Sequence, residues 1–296
     1  MTSVAIAIPN FNGEQYLYET LQSLQMQKVK PDEIVFSDNF STDHSLEIVE
    51  MFPDLNVRVI QPDRFLKMSE NWNYVANQVR SDWFFLLSND DLLRDTAVKR
   101  LKEIAEGLAS NIGVISFKSE IVNEDSKLVL GKYRIGKEKL REAHEFLEEN
   151  IKFLHINAAS VAIKKVSYID VGGFPTEYSV LHDLVFYQRL ILKWGILESK
   201  EVLGRYRIYG NKPNSEVRSL LVLEDFQTYE SFDLKRYVEK YPDLLLSYTY
   251  KESQNVAKPL SRIFWIRKFH TFVLLIMTIC RRGQSVLRHS GFPGRS

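Results

Sequence analysis

Apolar residues in the first third of the chain come in short runs broken by stretches of Asn, Asp and Pro. Val4 to Ile8 is apolar and rich in β-branched residues, and it stops at Pro9-Asn10-Phe11-Asn12-Gly13. That is the turn chemistry expected where a buried strand delivers the chain to a surface. From Glu14 the apolar positions Leu17, Leu21 and Leu24 recur at helical spacing until Lys28, Lys30 and Pro31 end the pattern, and Glu33 to Ser37 reads as a second strand. Ser41-Thr42-Asp43 offers N-cap chemistry to a helix over Ser45 to Phe52, and Val57 to Ile60 is a third short strand. Asn71 to Val79 reads as a helix, and Trp83 to Leu87 as an apolar strand running into Ser88-Asn89-Asp90-Asp91.

Strands alternating with helices predict an α/β fold, an open, Rossmann-like, mostly parallel sheet flanked by helices, with ligands bound outside the carboxyl ends of the strands. Asn10, Asn12, Asp38, Asn39, Asp90 and Asp91 all fall at such ends. The stretch from Asn123 to Asn150 is polar and reads as an insertion or lid before the apolar segment Ala158 to Ile163. Beyond Ser215 the pattern turns helical, with breaks at Tyr241-Pro242 and Lys258-Pro259. The expected division is an α/β domain over residues 1–215 and a helical C-terminal region over 216–296.

Composition narrows the function classes. The 296 residues are 45% hydrophobic and 26% charged, with 13 Gly and 9 Pro, which excludes disordered and low-complexity chains. Thirty-nine basic against 38 acidic residues leave a net charge of +1, too little to hold nucleic acid along a broad surface. Cys280 is the only cysteine, and no basic segment precedes the first apolar run, so a cytoplasmic address is expected.

The order of motifs resembles the family 2 glycosyltransferases, whose nucleotide-sugar-binding domain has the GT-A fold. Pro9-Asn10-Phe11-Asn12 is similar to the family's Pro-x-aromatic-Asn after the first strand, and Asp38-Asn39-Phe40-Ser41-Thr42-Asp43 to its Asp-Asp-Gly-Ser-x-Asp after the second. Leu86-Leu87-Ser88-Asn89-Asp90-Asp91 stands in the place of the Asp-x-Asp metal motif, with Ser88 where the first acid would be. Gly172-Gly173-Phe174 follows, then His182-Asp183 in the place of a Glu-Asp pair. Last comes Tyr206-Arg207-Ile208-Tyr209, similar to Tyr-Arg-x-His, with Tyr209 in the histidine's place.

The resemblance implies transfer of a sugar from a nucleoside diphosphate (UDP, dTDP or GDP type) to a hydroxyl of a glycan or lipid-linked glycan. Such chemistry needs polar groups to fix base and ribose, positive charge for the departing diphosphate, and a base for the attacking hydroxyl. Pro9, Asn10, Asn12, Asp38, Asn39, Asp90 and Arg207 are the expected donor-binding residues. Asp38 fits either ribose or base contact or an Asx-turn. Asp43 fits a helix cap or ligand contact. Asp90 is the expected ligand of Mg²⁺ or Mn²⁺, with Asp91, His182 and Tyr209 as further site candidates, and Asp90-Asp91 has the alternative of a solvated turn. Asp183 is the expected general base of an inverting displacement, and an N-terminal helix cap is compatible with that role. Gly172-Gly173 fits close approach to a donor sugar or a tight turn. A protein that kept the fold and binds sugar nucleotides without turnover is the alternative.

Arg262 to Lys268 interleaves cations with Ile263, Phe264 and Trp265 and leads into Thr271 to Cys280, ten residues without a charge and short of the roughly 20 needed to span a bilayer. Residues 261–296 read as a peripheral membrane contact, with a core-packing or dimer-forming helix as the equal alternative.

Overall fold

The first apolar run becomes β1 (Val4–Asn10), buried at all seven positions. The computed structural model describes residues 1–130, 139–141, 158–178 and 182–209. Burial on both edges and both faces explains why this run is continuously apolar rather than alternating. β2 (Glu33–Asp38) pairs with it in parallel from Ala5↔Glu33 to Asn10↔Asp38. β4 (Trp83–Leu86) pairs in parallel on the other edge, and β3 (Arg58–Ile60) extends the sheet beyond β2.

The period of two along β1 assigns its side chains to two cores. Val4, Ile6 and Ile8 pack with Leu17, Leu21 and Leu24 of α1 (Glu14–Gln25), Ile48 of α2 (Ser45–Glu50) and Leu101 of α4 (Ala97–Glu106). Ala5 and Ala7 face Val75 of α3 (Met68–Gln78), Tyr168 of α5 (Lys165–Asp170) and Phe186 of α6 (His182–Lys193). The small alanines leave room on that face for rings, among them Phe174 and Phe186 with centroids 4.0 Å apart. Each fully buried Leu, Ile or Phe contributes roughly 1.5–3 kcal/mol.

The second half of the sheet departs from simple alternation. β9 (Val161–Lys164) runs antiparallel between β4 and β6 (Val114–Val122). β10 (Ile196–Arg207) lies parallel to β6, and β5 (Leu92–Leu93) pairs antiparallel with its far end. β7 (Leu128–Leu130) and β8 (Lys139–Arg141) pair with β6 and β10 respectively. The sheet is therefore mixed, with β1, β2, β3, β4, β6 and β10 running one way. Irregular register in β10 after Glu198 bends the strand and re-aims its last residues toward β5.

α3 begins at Met68, ahead of the expected Asn71, because the Glu70 carboxylate accepts the Lys67 N–H at 2.9 Å and closes the first turn. In the polar stretch expected as a lid, the 123–127 turn joins β6 to β7, with the Asn123 N–H on the Lys127 carbonyl at 3.0 Å. Residues 131–138 and 142–157, the expected helical region 216–296 and its 261–296 segment lie outside the described residues. Among the described residues no helix is long and apolar enough to cross a membrane.

Candidate active site

The carboxyl ends of β1 and β2 are adjacent in register, and the loops that follow them are tied together by short polar side chains. The Asn10 amide donates to Ser41 Oγ at 3.0 Å and accepts from Asn89 Nδ2 at 2.6 Å, joining the first loop to the second and to the segment after β4. A Cβ on Gly13 would stand 2.3 Å from both ends of that Asn10–Asn89 bond, so only glycine lets α1 start this close. Asn12, at φ 48°, accepts the Thr42 N–H at 2.8 Å. Asp43 accepts the Glu14 N–H at 2.8 Å and the Ser45 hydroxyl at 2.6 Å. Of its two readings, the described contacts are those of a helix-terminal cap.

Asp38 is 1% exposed. Its Oδ2 accepts from the Ser41 N–H and Gln61 Nε2, both at 3.3 Å, while Oδ1 is buried and has no hydrogen-bond partner among the described residues. A carboxylate oxygen left in that state costs about 1–3 kcal/mol or more, which a ligand's N–H or O–H would recover. Asn39 is committed differently. Its amide donates to the Leu66 carbonyl at 2.8 Å and accepts the Leu66 N–H at 2.9 Å, fastening the 61–67 loop to the end of β2.

Ser88-Asn89-Asp90-Asp91 leaves β4 on the same side. Asp91 is buried and accepts the Arg207 N–H at 2.9 Å. Burial, reinforced by the adjacent Asp90, pushes its carboxyl well above the usual range against the pull of Arg207. Asp90 is half-buried, and its Oδ2 accepts the Tyr209 hydroxyl. Arg207, expected on the diphosphate, is placed otherwise: its guanidinium has no exposed surface. Nε donates to the Asp90 carbonyl at 2.9 Å and Nη2 to Glu19 at 2.9 Å, while Nη1 reaches the Asn123 and Glu124 carbonyls and Ser126 Oγ. The Tyr16 ring covers it at 4.2 Å. So buried and so used, Arg207 clamps the Asp90 loop and the β6–β7 turn to β10 and takes the role of a positioning residue.

α6 brings in the remaining pair. His182 is buried against the Trp72 ring, with centroids 4.8 Å apart, and Asp183 Oδ1 accepts the Leu184 N–H at 2.7 Å. Burial raises the Asp183 carboxyl above its ordinary range, and His182 opposes the shift. Burial and charge both act on the Tyr206 phenol. It is raised first by burial and then by the charges of Asp91 and its neighbour Asp90 and of Asp183. Gly172 and Gly173 have φ of 82° and 74° and turn the chain out of α5, with the Gly173 N–H on the Tyr168 carbonyl at 3.1 Å. That is the tight turn of the two readings.

Between these elements lies a cavity of about 650 Å³. Pro9, Asn10, Phe11, Asn39 and Phe65 line it together with Trp72, Thr176, Glu177, Tyr178 and His182. Ser88, Asn89 and Asp90 form part of its wall. Sequence reasoning missed Phe65, Trp72 and the tie from Asn89. It also missed Asn73, whose amide accepts the Phe174 N–H at 2.8 Å and donates to the Phe174 carbonyl at 2.7 Å. The signal available was an Asn inside a helical stretch, a residue that is a poor helix former unless its amide has other work.

The donor set suits a hard cation only in part. Among the described residues no three His, Cys, Asp or Glu side chains gather around one point. The Asp90 carboxylate and Ser88 hydroxyl on the cavity wall fit an ion that keeps several waters and takes most of its ligands from phosphates, as Mg²⁺ does.

Residues 5–170 match the family described as Glycosyl transferase family 2. An uncharacterized glycosyltransferase of Haemophilus influenzae is 25% identical over 190 residues, covering 64% of this chain and 62% of that protein. The succinoglycan biosynthesis protein ExoO of Rhizobium meliloti is 23% identical over 150 residues, covering 51% and 43%. The chain thus spans less than two thirds of these relatives. The structure of residues 1–349 of TarS from S. aureus, in complex with UDP, superimposes with a TM-score of 0.58 at 15% identity over 99% of this chain and 94% of that one.

Proposed function

This chain belongs to glycosyl transferase family 2, and on that premise we propose that it is an inverting glycosyltransferase moving a sugar from a nucleoside-diphosphate sugar to a hydroxyl of a glycan or lipid-linked glycan. The observation that carries the proposal is the cavity at the carboxyl ends of β1, β2 and β4, whose wall takes Ser88, Asn89 and Asp90 from the loop after β4 and His182, the neighbour of Asp183, from α6.

In this reading the nucleoside lies toward Phe11 and Asn39, and Asp38 Oδ1 supplies the acceptor for a donor group of the base or ribose. The TarS complex supports UDP as the first nucleotide to test, ahead of dTDP and GDP. The name of ExoO supports surface polysaccharide biosynthesis as the setting. Asp90 and Ser88 would hold Mg²⁺ or Mn²⁺ with the diphosphate, and the bound ion would offset negative charge on the leaving group. Asp183 takes the proton of the acceptor hydroxyl as its oxygen bonds to the anomeric carbon. The bond from that carbon to the diphosphate breaks, the diphosphate leaves with the electron pair, and a single displacement inverts the centre. The raised carboxyl of Asp183 suits a proton acceptor better than an ordinary aspartate would. Tyr209 holding Asp90 favours one second reading, a sugar-nucleotide-binding protein without turnover.

The test is a thermal-shift screen over UDP, dTDP, GDP and their sugars with and without Mn²⁺, followed by product detection. A ligand bound only by the folded state raises apparent stability by RT ln(1 + [L]/Kd). Stabilisation by one nucleotide family together with transfer supports the proposal. Stabilisation without turnover of any donor supports the second reading, and no stabilisation removes both. Peripheral membrane contact through residues 261–296 belongs to the same proposal. Deleting them should release the protein from anionic vesicles, and continued binding would refute the contact.

A further inference from the structure

We propose that Trp72 is the platform on which the acceptor stacks, making the cavity wall formed by Trp72 and His182 a subsite for a pyranose ring with a continuous apolar face. The proposal rests on the glycosyltransferase reading and adds the chemistry by which the acceptor is held.

Trp72 sits in the first turns of α3, half-buried, on the cavity wall. A tryptophan serving the core alone would resemble Trp83, which is 4% exposed. Nor is its indole N–H spent internally. Among the described residues it has no hydrogen-bond partner, whereas the indole of Trp194 donates to Asp170 at 2.8 Å. Yet the ring is fixed. Phe174 meets it near-perpendicular at 5.2 Å and 81°, and His182 at 4.8 Å and 74°.

Those two neighbours are themselves anchored. Phe174 is held by both backbone bonds from Asn73, one residue along α3 from Trp72, and His182 begins α6. An aromatic surface held in place this way loses little freedom when a ligand covers it. A flat, amphipathic ring with an unspent N–H in a cleft lined by both apolar and polar side chains matches a sugar, which presents C–H groups on one face and hydroxyls around its rim. The acceptor rather than the donor is assigned because Trp72 touches His182, whose neighbour Asp183 takes the acceptor's proton. In the proposed function the nucleoside of the donor is assigned instead to the part of the wall formed by Asn39 and Phe11.

The test uses the full-length protein with saturating UDP, titrated with methyl β-glucopyranoside, methyl β-galactopyranoside and methyl β-N-acetylglucosaminide while tryptophan emission is followed. Trp72 is one of four tryptophans, so W72F isolates its signal while keeping a smaller ring. At least one pyranoside should change the emission saturably in the wild type, with the change absent in W72F. In transfer assays with that pyranoside, W72F should raise acceptor KM about threefold and W72L about tenfold, with kcat altered less than about twofold. Circular dichroism confirms that both variants fold, and W72F carries the test if W72L does not. No response to any pyranoside, a response retained in W72F, or an unchanged acceptor KM would overturn the platform. Where the nucleotide screen selects dTDP or GDP, that nucleotide replaces UDP in the titration; failure of all three to bind would instead remove the functional reading beneath it, so the two failures are told apart.

Discussion

Gly13→Ala tests how the three loops of the site are held together. The new methyl carbon would lie 2.3 Å from Asn10 Oδ1, 2.3 Å from Asn89 Nδ2 and 2.9 Å from Asn89 Cγ, where ordinary contact begins at 3.4 Å. The first two atoms are the two ends of one 2.6 Å hydrogen bond, so neither side chain can retreat without breaking it. Overpacking costs about 1–3 kcal/mol and the lost bond about 1 kcal/mol more, giving a destabilisation of about 2–4 kcal/mol. At roughly 2–4 °C per kcal/mol for a chain near this size, Tm should fall by about 5–15 °C. Affinity for UDP should fall with it, because Ser88-Asn89-Asp90 loses its tie to β1. Calorimetric melts of Gly13→Ala, Asn89→Ala and the double variant close the cycle. Asn89→Ala removes one of the two side chains that are struck and frees the Asn10 amide to retreat without breaking their bond, so Gly13→Ala should cost about 1–2 kcal/mol less in that background. Equal costs in both backgrounds, or a Tm within about 1 °C of wild type for Gly13→Ala, would refute the close-approach argument.

Asn39→Asp exchanges an amide that both donates to and accepts from Leu66 for a carboxylate that only accepts, and should cost about 2–4 kcal/mol in chemical denaturation. A change below about 0.5 kcal/mol would mean the 61–67 loop is held by something else. Asp38→Ala should weaken UDP binding about tenfold whether or not Mn²⁺ is present, whereas Asp90→Ala should weaken it mainly with Mn²⁺, as read by calorimetric titration. Equal metal dependence in the two variants would contradict their separate roles. The raised Asp183 carboxyl must be ionised to accept a proton, so kcat/KM should fall as pH drops through a value above the roughly 4 of a solvated aspartate. A rate flat down to pH 4.5 would contradict this.

The strands and helices of the first 90 residues are legible because their burial follows a simple rule. β1 is enclosed on all sides and reads as continuous apolar sequence, and α1 packs one stripe on it and reads as Leu17, Leu21 and Leu24. The later sheet is less legible. β9 reverses direction between two parallel strands, and nothing in Val161–Lys164 marks direction, since an apolar strand reads alike either way. Loop-end polar residues are found by position, but their partners are not. Asn39 and Asp38 are neighbours with the same local signals, yet one serves Leu66 and the other keeps an unpartnered oxygen. Arg207 shows the same limit. A motif places an arginine near a diphosphate, and only the fold reveals Glu19, Ser126 and Tyr16 closing around it.

The central claim is that this cavity activates a hydroxyl against a nucleotide sugar through Asp183. It is tested most directly by the UDP released from a panel of UDP-sugars by the wild type and by Asp183→Asn, at donor concentrations saturating both. The wild type should turn over at least one donor. Asp183→Asn should bind that donor with an affinity within about twofold and turn it over roughly 100-fold more slowly, the factor a positioned base contributes. Equal turnover by the two proteins would contradict the account.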